Sequence, residues 1–258
     1  MDKTLFIKFK TTGKIHPFPI LSKEKFEIGD RVVVEIEQGV EIGTVIEVKK
    51  KKSEVEIKGK VRKLTEKDQK KIIELKPQSE EIKQFCQEKI SELGLSMKLI
   101  DAEISLDEKK ITFYFMSEER VDFRELLSLL IARYHKNIRL QQLGPRDVAR
   151  ILGGFGCCGR PCCCKAFLEN INSITVNLAK EQSLRGVGSS KITGLCGKLM
   201  CCLNFEAKDY KEVRKKLPEV GKKIKTEKGM GKVIAQNIIS SSVIVKLEDG
   251  SKIEQKIE

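Results

Sequence analysis

One cysteine phrase occurs twice in this chain. The first copy begins at Cys158 and the second at Cys196, and both follow the pattern Cys-Gly-basic-x-x-Cys-Cys-x-x-Phe. Eight of the nine cysteines lie between residues 157 and 202. In a reducing compartment, cysteines crowded in this way serve more often as metal ligands or redox groups than as structural disulfides. The two phrases are therefore the first place to look for chemistry.

The spacing inside each copy defines a set of ligands. Four residues separate Cys158 from Cys163, and the same interval separates Cys196 from Cys201. Two such pairs supply four soft thiolates, which suit a tetrahedral zinc ion or a cubane iron–sulfur cluster. The pairs come from distant segments, so this hypothesis requires the two segments to meet in space.

Further thiols surround these pairs. Cys164 and Cys202 directly follow them, and the first copy also contains Cys157 and Cys162. This surplus exceeds what one closed zinc site needs, and it suits a cluster, a cluster shared with a partner chain, or thiol redox chemistry. The residues alone leave the cluster, zinc and redox alternatives open.

The N-terminal residues resemble no secretory signal, because they contain no long apolar stretch and no small-residue cleavage site. No segment approaches the ~18 consecutive apolar residues of a membrane helix. We therefore expect a cytoplasmic protein without membrane insertion. Cys86 stands apart from the other cysteines, on an apolar stripe with helical spacing, and this position predicts a core residue.

The charge favours an anionic partner. The net charge is +13, which suits nucleic acid or an acidic protein, although charged residues of both signs also make a soluble surface. Tryptophan is absent and aromatics are 5% of the residues, so platforms for stacking RNA bases are scarce. The candidate contacts to phosphate or RNA are Lys49, Lys50, Lys51, Lys52, Arg160 and Lys198.

A second repeat frames the chain. Residues 28–46 and 220–234 share an apolar-Gly-charged-basic start, a strand, a glycine turn and a Val-Ile strand. Each copy is typical of a small twisted β-barrel, which serves either as a binding module or as a docking module. These expected modules occupy residues 1–62 and 218–258.

Residues 63–145 change to a helical and alternating pattern. Thr65 caps a helix to about Leu75, Pro77 is expected to break it, and a second helix follows from Ser79 to Gly94. A hairpin, a helix and a strand complete an α-β-β-α-β layer with its helices on one face. With a cysteine-rich loop and helix region at 146–217, the fold class is α+β, with two barrel-like modules flanking a central layer.

No catalytic constellation is evident. The chain has two histidines, His16 and His135, and neither lies near a nucleophile motif. The glycine-rich segment 153–156 lacks the lysine-serine ending of a phosphate-binding loop. We therefore expect a protein that is not an enzyme.

The cysteine region resembles a known family. The segments that carry the resemblance are Gly153-Gly154-Phe155-Gly156, Cys158-Gly159-Arg160-Pro161, Cys163-Cys164, Ala179-Lys180-Glu181-Gln182 and Gly194 to Cys202. Together they look like the RicT (YaaT) family, which carries the PSP-one C-terminal domain. The resemblance is dense from about Leu140 to Phe205 and looser elsewhere. It departs from the family pattern at Cys157 and Cys162.

The resemblance implies a cytoplasmic bacterial regulatory subunit. Members of the family assemble with two small helical partners, RicA and RicF, in a complex associated with iron–sulfur clusters. That complex stimulates RNA maturation and turnover by the endoribonuclease RNase Y. By match to the motif, the resemblance implies a [4Fe–4S] cluster on Cys158, Cys163, Cys196 and Cys201, with Cys164 and Cys202 as the next candidates.

Overall fold

The computed structural model describes residues 4–9, 13, 15–20, 24–36, 39–49, 59–168, 171–184 and 186–257. The chain forms two compact units, Met1–Leu152 and Gly153–Glu258. The first holds an N-terminal sheet and a central α/β layer. The second holds both cysteine phrases and a C-terminal sheet. The predicted α+β class is confirmed by these mixed layers.

The N-terminal sheet is antiparallel, with strand order β2-β1-β4-β3-β5. Its strands are β1 (Thr4–Phe9), β2 (Ile15–Pro19), β3 (Arg31–Ile36), β4 (Gly39–Lys49) and β5 (Lys60–Lys63). One face is built from fully buried side chains, including Leu5, Ile7, Phe18, Val32 and Val45. Branched and aromatic side chains at alternate positions favour this pleated, half-buried arrangement.

The central layer has the predicted α-β-β-α-β order, followed by one more helix. Its elements are α1 (Glu66–Glu92), β6 (Lys98–Ile104), β7 (Lys110–Met116), α2 (Arg124–Tyr134), β8 (Asn137–Gln142) and α3 (Pro145–Leu152). β6 and β7 form the expected hairpin, and β8 adds in parallel to β7. α1 and α2 cover one face of this sheet, and Val148 of α3 packs on the other.

Helix α1 corrects one prediction. It runs without interruption for 27 residues, with Pro77 inside it, although the sequence led us to expect a break there. Pro77 is exposed, so water can satisfy the carbonyl that loses its helical partner. Leu75, Ile82, Cys86 and Ile90 lie on both sides of the proline and are all buried in one core. Within the described residues, no helix is both long and apolar enough to cross a membrane.

The second unit places short helices before a four-stranded meander. The helices are α4 (Cys163–Ala166), α5 (Val176–Glu181), a 3-10 turn (Ser189–Ile192) and α6 (Cys201–Lys216). The strands are β9 (Lys223–Thr226), β10 (Gly229–Asn237), β11 (Ser242–Leu247) and β12 (Lys252–Lys256), in the order β12-β11-β10-β9. Tyr210 and Val213 of α6 pack on the inner face of this sheet.

The repeat that frames the chain is a repeated hairpin but not a barrel. The Gly29 and Gly221 amides donate to Val45 and Val233 carbonyls at the same distance of 2.8 Å, and both glycines have positive φ. The two sheets are open, however. Among the described strands, β2 and β5 lie at opposite edges of one sheet, and β9 and β12 at opposite edges of the other. Closure requires the edge strands to pair, so the prediction of barrel-like modules was wrong.

Candidate metal centre

The two cysteine phrases fold into the same backbone structure. We call residues 155–163 the first cysteine hairpin and residues 193–201 the second. Each is closed by an isolated antiparallel bridge, and the bridges are Phe155 with Pro161 and Thr193 with Leu199. Equivalent positions in the two hairpins are therefore 38 residues apart.

The hydrogen bonds inside the hairpins also correspond. In the first hairpin, Gly156 N–H donates to the Arg160 carbonyl (2.8 Å) and Gly159 N–H to the Gly156 carbonyl (3.0 Å). In the second hairpin, the donors and acceptors are Gly194 to Lys198 (2.9 Å) and Gly197 to Gly194 (2.9 Å). The sequence repeat is thus a repeat of a tight turn that presents the first cysteine of each pair.

Glycine is required at the tip of each turn. Gly159 has φ +75° and Gly197 has φ +72°, in the left-handed region that side chains with a Cβ avoid. This conformation reverses the chain directly after Cys158 and Cys196. The second cysteine of each pair then opens a helix, since Cys163 begins α4 and Cys201 begins α6.

The two hairpins meet within the second unit. Helices α4 and α6 are in contact, and the rings of Phe167 and Phe205 pack edge to face. A Cβ placed on Gly154 would lie 2.6 Å from Leu195 Cδ2. Gly154 also has φ +132°, a backbone conformation that residues with a Cβ rarely adopt, so glycine suits the position where the first hairpin approaches the second. The distant segments that carry the two cysteine pairs therefore come together.

A small core holds the second hairpin. Ala179 of α5, Ile192 of the 3-10 turn and Leu203 of α6 are buried against each other. Gln182 is also buried, and its side-chain amide donates to the Leu203 carbonyl. Arg214 Nη2 donates to the Glu181 carbonyl at 2.5 Å. The Ala179–Gln182 segment thus fixes the start of α6, where Cys201 and Cys202 lie.

The predicted ligands differ in exposure. Cys158 is exposed, whereas Cys163, Cys196, Cys201 and Cys202 are half-buried. Cys164 is buried, and this distinguishes it from the other predicted ligands. The remaining thiols of the first copy are Cys157, which is exposed, and Cys162, which is half-buried.

The thiols of the two hairpins affect one another's ionisation. Burial raises the pKa of Cys163, and the neighbouring thiols of Cys201, then Cys158 and Cys162, raise it further. Burial likewise raises the pKa of Cys202, with added repulsion from Glu206, Cys163 and Cys201. Without a compensating cation, both thiols therefore stay protonated at neutral pH. A metal ion supplies that positive charge and deprotonates coordinating thiols.

The potential ligands suit a soft metal centre, because they are thiols and because both hairpins contribute them. Two equivalent hairpins contribute thiols, which suit zinc or an iron–sulfur cluster, and no hard carboxylate set competes within them. Among the described residues, no group of three or more His, Cys, Asp or Glu side chains has the geometry of a metal site. The hairpins therefore bring suitable donors into one region without a finished coordination shell.

The predicted phosphate contacts are distributed over both compact units of the chain. Lys50, Lys51 and Lys52 lie outside the described residues. Lys49 pairs with Glu47 at 3.4 Å and lies over the Phe6 ring at 4.6 Å. The other two, Arg160 and Lys198, are exposed at equivalent positions of the two cysteine hairpins.

Comparison with curated proteins identifies the family. The chain is 37% identical over 257 residues to the stage 0 sporulation protein YaaT of Bacillus subtilis, covering 98% of this chain and 93% of that protein. The chain belongs to the YaaT family. The resemblance predicted from the cysteine motifs is confirmed over almost the whole length.

Family models and more distant relatives match parts of this YaaT-family chain. The PSP1 C-terminal conserved region matches residues 58–143, and the third domain of PSP1-like proteins matches residues 173–217. Protein PSP1 of Saccharomyces cerevisiae is 46% identical over 46 residues, which is 18% of this chain and 6% of that protein. An uncharacterized Schizosaccharomyces pombe protein is 42% identical over 53 residues, or 20% of this chain and 7% of that protein. No solved structure matches the chain.

Two structural features of the site were not foreseen. Phe167 and Phe205 end the repeated phrase, but their spacing alone did not indicate that the two rings would touch. Gln182 was noted as part of a family motif, without a role. A polar residue within an apolar segment could have suggested a buried hydrogen bond, but its partner, the Leu203 carbonyl, is visible only in three dimensions.

Proposed function

We propose that this YaaT-family chain is a non-catalytic regulatory subunit of a cytoplasmic complex that stimulates RNA maturation and decay by RNase Y. In this role it binds an iron–sulfur cluster and docks RicA-like and RicF-like subunits. The observation that carries the proposal is the meeting of two equivalent cysteine hairpins through α4 and α6. Two equivalent hairpins that bring soft ligands into one region are well suited to hold one inorganic centre.

The proposed ligands are the two equivalent pairs, Cys158 with Cys163 and Cys196 with Cys201. A bound [4Fe–4S] cluster supplies iron ligated by four thiolates, which ties the hairpins to each other. The chain's own residues position those thiols. The glycine turns orient the first member of each pair, and the helix starts orient the second. Cys202 is half-buried beside them and is the next candidate, ahead of the buried Cys164.

The environments of the two histidines support a non-catalytic role. His16 lies in β2, with its ring 5.5 Å from that of Phe9. His135 caps the C-terminal end of α2 in a left-handed conformation. His16 thus lies within a paired strand and His135 at a helix end.

The surface around the hairpins supports an adaptor role. Large apolar side chains there remain exposed, namely Phe155, Phe167, Leu195 and Phe205. Several apolar side chains concentrated around one feature are typical of a surface that a partner covers. We therefore expect the RicA-like and RicF-like subunits to bind beside the cluster.

Anaerobic purification tests the cluster. The full chain, expressed with its partner subunits, is expected to be brown and to contain iron and acid-labile sulfide. Single Cys158→Ser and Cys196→Ser variants should lose both. Cys157→Ser is the matched control, since it removes an exposed thiol that lies outside the proposed pairs, and it should retain them. Unchanged iron in both test variants would contradict the ligand assignment.

Capture of partners tests the adaptor role separately. The tagged chain should co-purify with RicA-like and RicF-like subunits, and the complex should accelerate RNase Y cleavage of a purified transcript. The chain alone should not cleave that transcript. Cleavage by the chain without RNase Y, or the absence of any effect on RNase Y, would overturn the regulatory role.

A zinc-stabilised nucleic-acid-binding protein is the second candidate. It is favoured by the hairpin-and-helix form of each cysteine pair, since structural zinc sites commonly draw ligands from such turns. The same preparation separates the two candidates. A colourless protein with zinc and no sulfide supports this alternative, whereas a metal-free protein whose activity depends on one cysteine would indicate thiol redox chemistry.

A further inference from the structure

Four lysines stand side by side across the C-terminal sheet. Lys232 of β10 lies directly opposite Lys223 of β9 on one side and Lys246 of β11 on the other. Lys246 in turn lies opposite Lys252 of β12. The register therefore places one lysine on each of the four strands in a single cross-strand line, which we call the lysine row.

The lysine row occupies the outer face of the sheet. Side chains directly opposite each other in antiparallel strands project from the same face. Val233 and Val245, the next residues on β10 and β11, are buried in the core on the inner face. All four lysines are exposed. With strands about 4.8 Å apart, the row extends across roughly 14 Å of surface.

This arrangement opposes folding. Like charges directly opposite each other in a sheet destabilise it, and the row contains three such pairs. Within the described part of the chain, none of the four lysines has an ion-pair partner. A row of four lysines without ion pairs indicates that an external anion supplies the missing charge.

Protection of sheet edges does not account for the row. Lysines on edge strands block unwanted pairing with other chains, and this explains Lys223 on β9 and Lys252 on β12. Lys232 and Lys246, however, lie on the two central strands, where both neighbours are already paired. The central lysines are therefore the ones that indicate binding.

The rest of the outer face adds one further lysine, one carboxylate and apolar surface. Lys225 lies opposite the exposed Met230, and each is two residues along its strand from a lysine of the row. Ile244 lies on the other side of the lysine row, opposite Glu254 of β12. That carboxylate accepts hydrogen bonds from Ser242 and Ser240, which lower its pKa and keep it ionised, so it places one negative charge beside the row. The face thus presents a line of cations flanked by apolar side chains.

From this geometry we infer that the lysine row binds the phosphate backbone of single-stranded RNA. Evenly spaced cations suit a chain that carries a negative charge on every repeating unit. Met230 and Ile244 give unpaired bases an apolar surface, which a duplex, with its bases stacked inside, cannot use. The choice of RNA as the nucleic acid rests on the proposed function in RNA processing. The alignment of the four lysines follows from the strand register alone.

The contact is expected to be independent of sequence. Lysine presents a point charge without the planar, two-pronged geometry that arginine uses to recognise bases. The outer face carries no aromatic side chain on the described strands to stack a base. We therefore expect the row to hold RNA for the complex while other components choose the site of cleavage.

The test compares two double variants of the full chain in complex with its partners. Lys232→Gln with Lys246→Gln removes the central lysines of the row. Lys70→Gln with Lys76→Gln removes the same charge from exposed positions of α1 and is the matched control. Binding of fluorescein-labelled oligouridine is measured by anisotropy at salt concentrations from about 50 to 200 mM.

The salt dependence gives the expected result. Each phosphate contact on a single strand contributes about 0.7 to the slope of log K against log salt, so loss of two contacts should lower its magnitude by about 1.4. The control should keep the wild-type slope. An unchanged slope in the Lys232/Lys246 variant would overturn the proposal. Tighter binding of labelled oligoglutamate than of oligouridine would also overturn it, in favour of an acidic protein.

Iron content separates this proposal from the proposed function. The row lies outside the cysteine hairpins, so the Lys232/Lys246 variant should retain iron, sulfide and partner subunits. Circular dichroism checks that the sheet is intact. If the Lys232/Lys246 variant contains iron and binds RNA as the wild type does, only the proposal of RNA binding by the row is rejected. If the wild-type protein contains no iron, only the proposal of an iron–sulfur cluster is rejected.

Discussion

The Phe167 and Phe205 rings pack edge to face, with centroids 5.2 Å apart and an interplanar angle of 73°. They are equivalent residues, since Phe167 lies four positions after Cys163 and Phe205 four positions after Cys201. The two copies of the cysteine phrase therefore contact each other through residues at the same position of the repeat. This relationship indicates that the hairpins form a pair related by an approximate local symmetry, in which each copy packs against the other.

Replacing Phe205 with alanine should weaken this pairing. Edge-to-face rings contribute about 0.5–1.5 kcal/mol beyond their buried area. We expect a loss at the low end of that range, because the two residues are 55% and 58% exposed. Thermal unfolding monitored by circular dichroism measures the loss, and Phe167→Ala should give a similar one.

Phe155→Ala is the control for the ring pair. Phe155 is more exposed, and it makes no ring contact with another described aromatic residue. It should change the midpoint of unfolding much less than Phe205→Ala. Equal effects of the two substitutions would show that the Phe167–Phe205 contact does not stabilise the paired hairpins.

Alanine in place of either hairpin-tip glycine, Gly159 or Gly197, should lower the stability of the fold by a similar amount. A Cβ added to Gly159 or Gly197 meets nothing within 4 Å, so only the left-handed backbone opposes alanine there. That strain costs about 1–2 kcal/mol per site. Urea unfolding of Gly159→Ala and Gly197→Ala should therefore show similar losses, as expected of equivalent turns.

Gly194→Ala provides the comparison. Gly194 does not have positive φ, and its added Cβ would lie 3.7 Å from the Lys198 carbonyl oxygen, an ordinary contact. We expect a smaller loss of stability than at Gly197 in the same hairpin. A larger loss at Gly194 would mean that close packing, and not backbone strain, determines the need for glycine.

Local patterns in the sequence predicted the elements that depend on neighbouring residues. The β6–β7 hairpin, helix α2 and strand β8 follow one another in the order that the alternating and helical patterns indicated. Pro77 was misjudged because a proline disrupts an isolated helix, whereas here the apolar residues on both sides bind one continuous helix to the sheet. Tertiary packing can override local propensity in this way.

Features that depend on residues distant in the sequence were harder to predict from the sequence. The hairpin repeat was visible in residues 28–46 and 220–234, but whether a sheet closes depends on the pairing of its edge strands, which no local pattern records. In the site, the doubled spacing predicted two equivalent cysteine pairs. The ring contact and the lysine row depend on which residues lie opposite each other, and this register follows from the complete fold.

Cys86 should remain unreactive in the folded protein. It was predicted to be a core residue, and the structure confirms this, with no exposed surface. Burial raises the pKa of its thiol to about 12, so the reactive thiolate is scarce at neutral and mildly alkaline pH. Alkylation followed by mass spectrometry should modify the exposed Cys157 readily and Cys86 only after denaturant unfolds the first unit. Rapid modification of Cys86 in native protein would contradict its burial.

Asp68 anchors the start of α1. It accepts hydrogen bonds from Arg62 at 2.6 Å and 3.0 Å, and it forms a capping box with Thr65. The bond from Arg62, then those from Thr65, hold the pKa of this carboxyl well below its usual range, against the opposing effect of burial. The charged form is therefore favoured in the folded state.

The stability that Asp68 contributes should depend on pH in a defined direction. Because its folded pKa is lowered, the contribution is complete above the unfolded pKa of about 3.9 and is lost as the pH falls below that value. At pH 7, Asp68→Asn should cost about 1.5 kcal/mol, near the lower limit for a charged hydrogen bond, since the Arg62 side chain is 40% exposed. Urea unfolding at neutral and acid pH measures both effects, and the difference between wild type and variant should shrink in acid. Glu66→Gln, in the same turn but outside this network, should show a smaller difference at pH 7, and a loss from Asp68→Asn that is independent of pH would contradict the role of the charge.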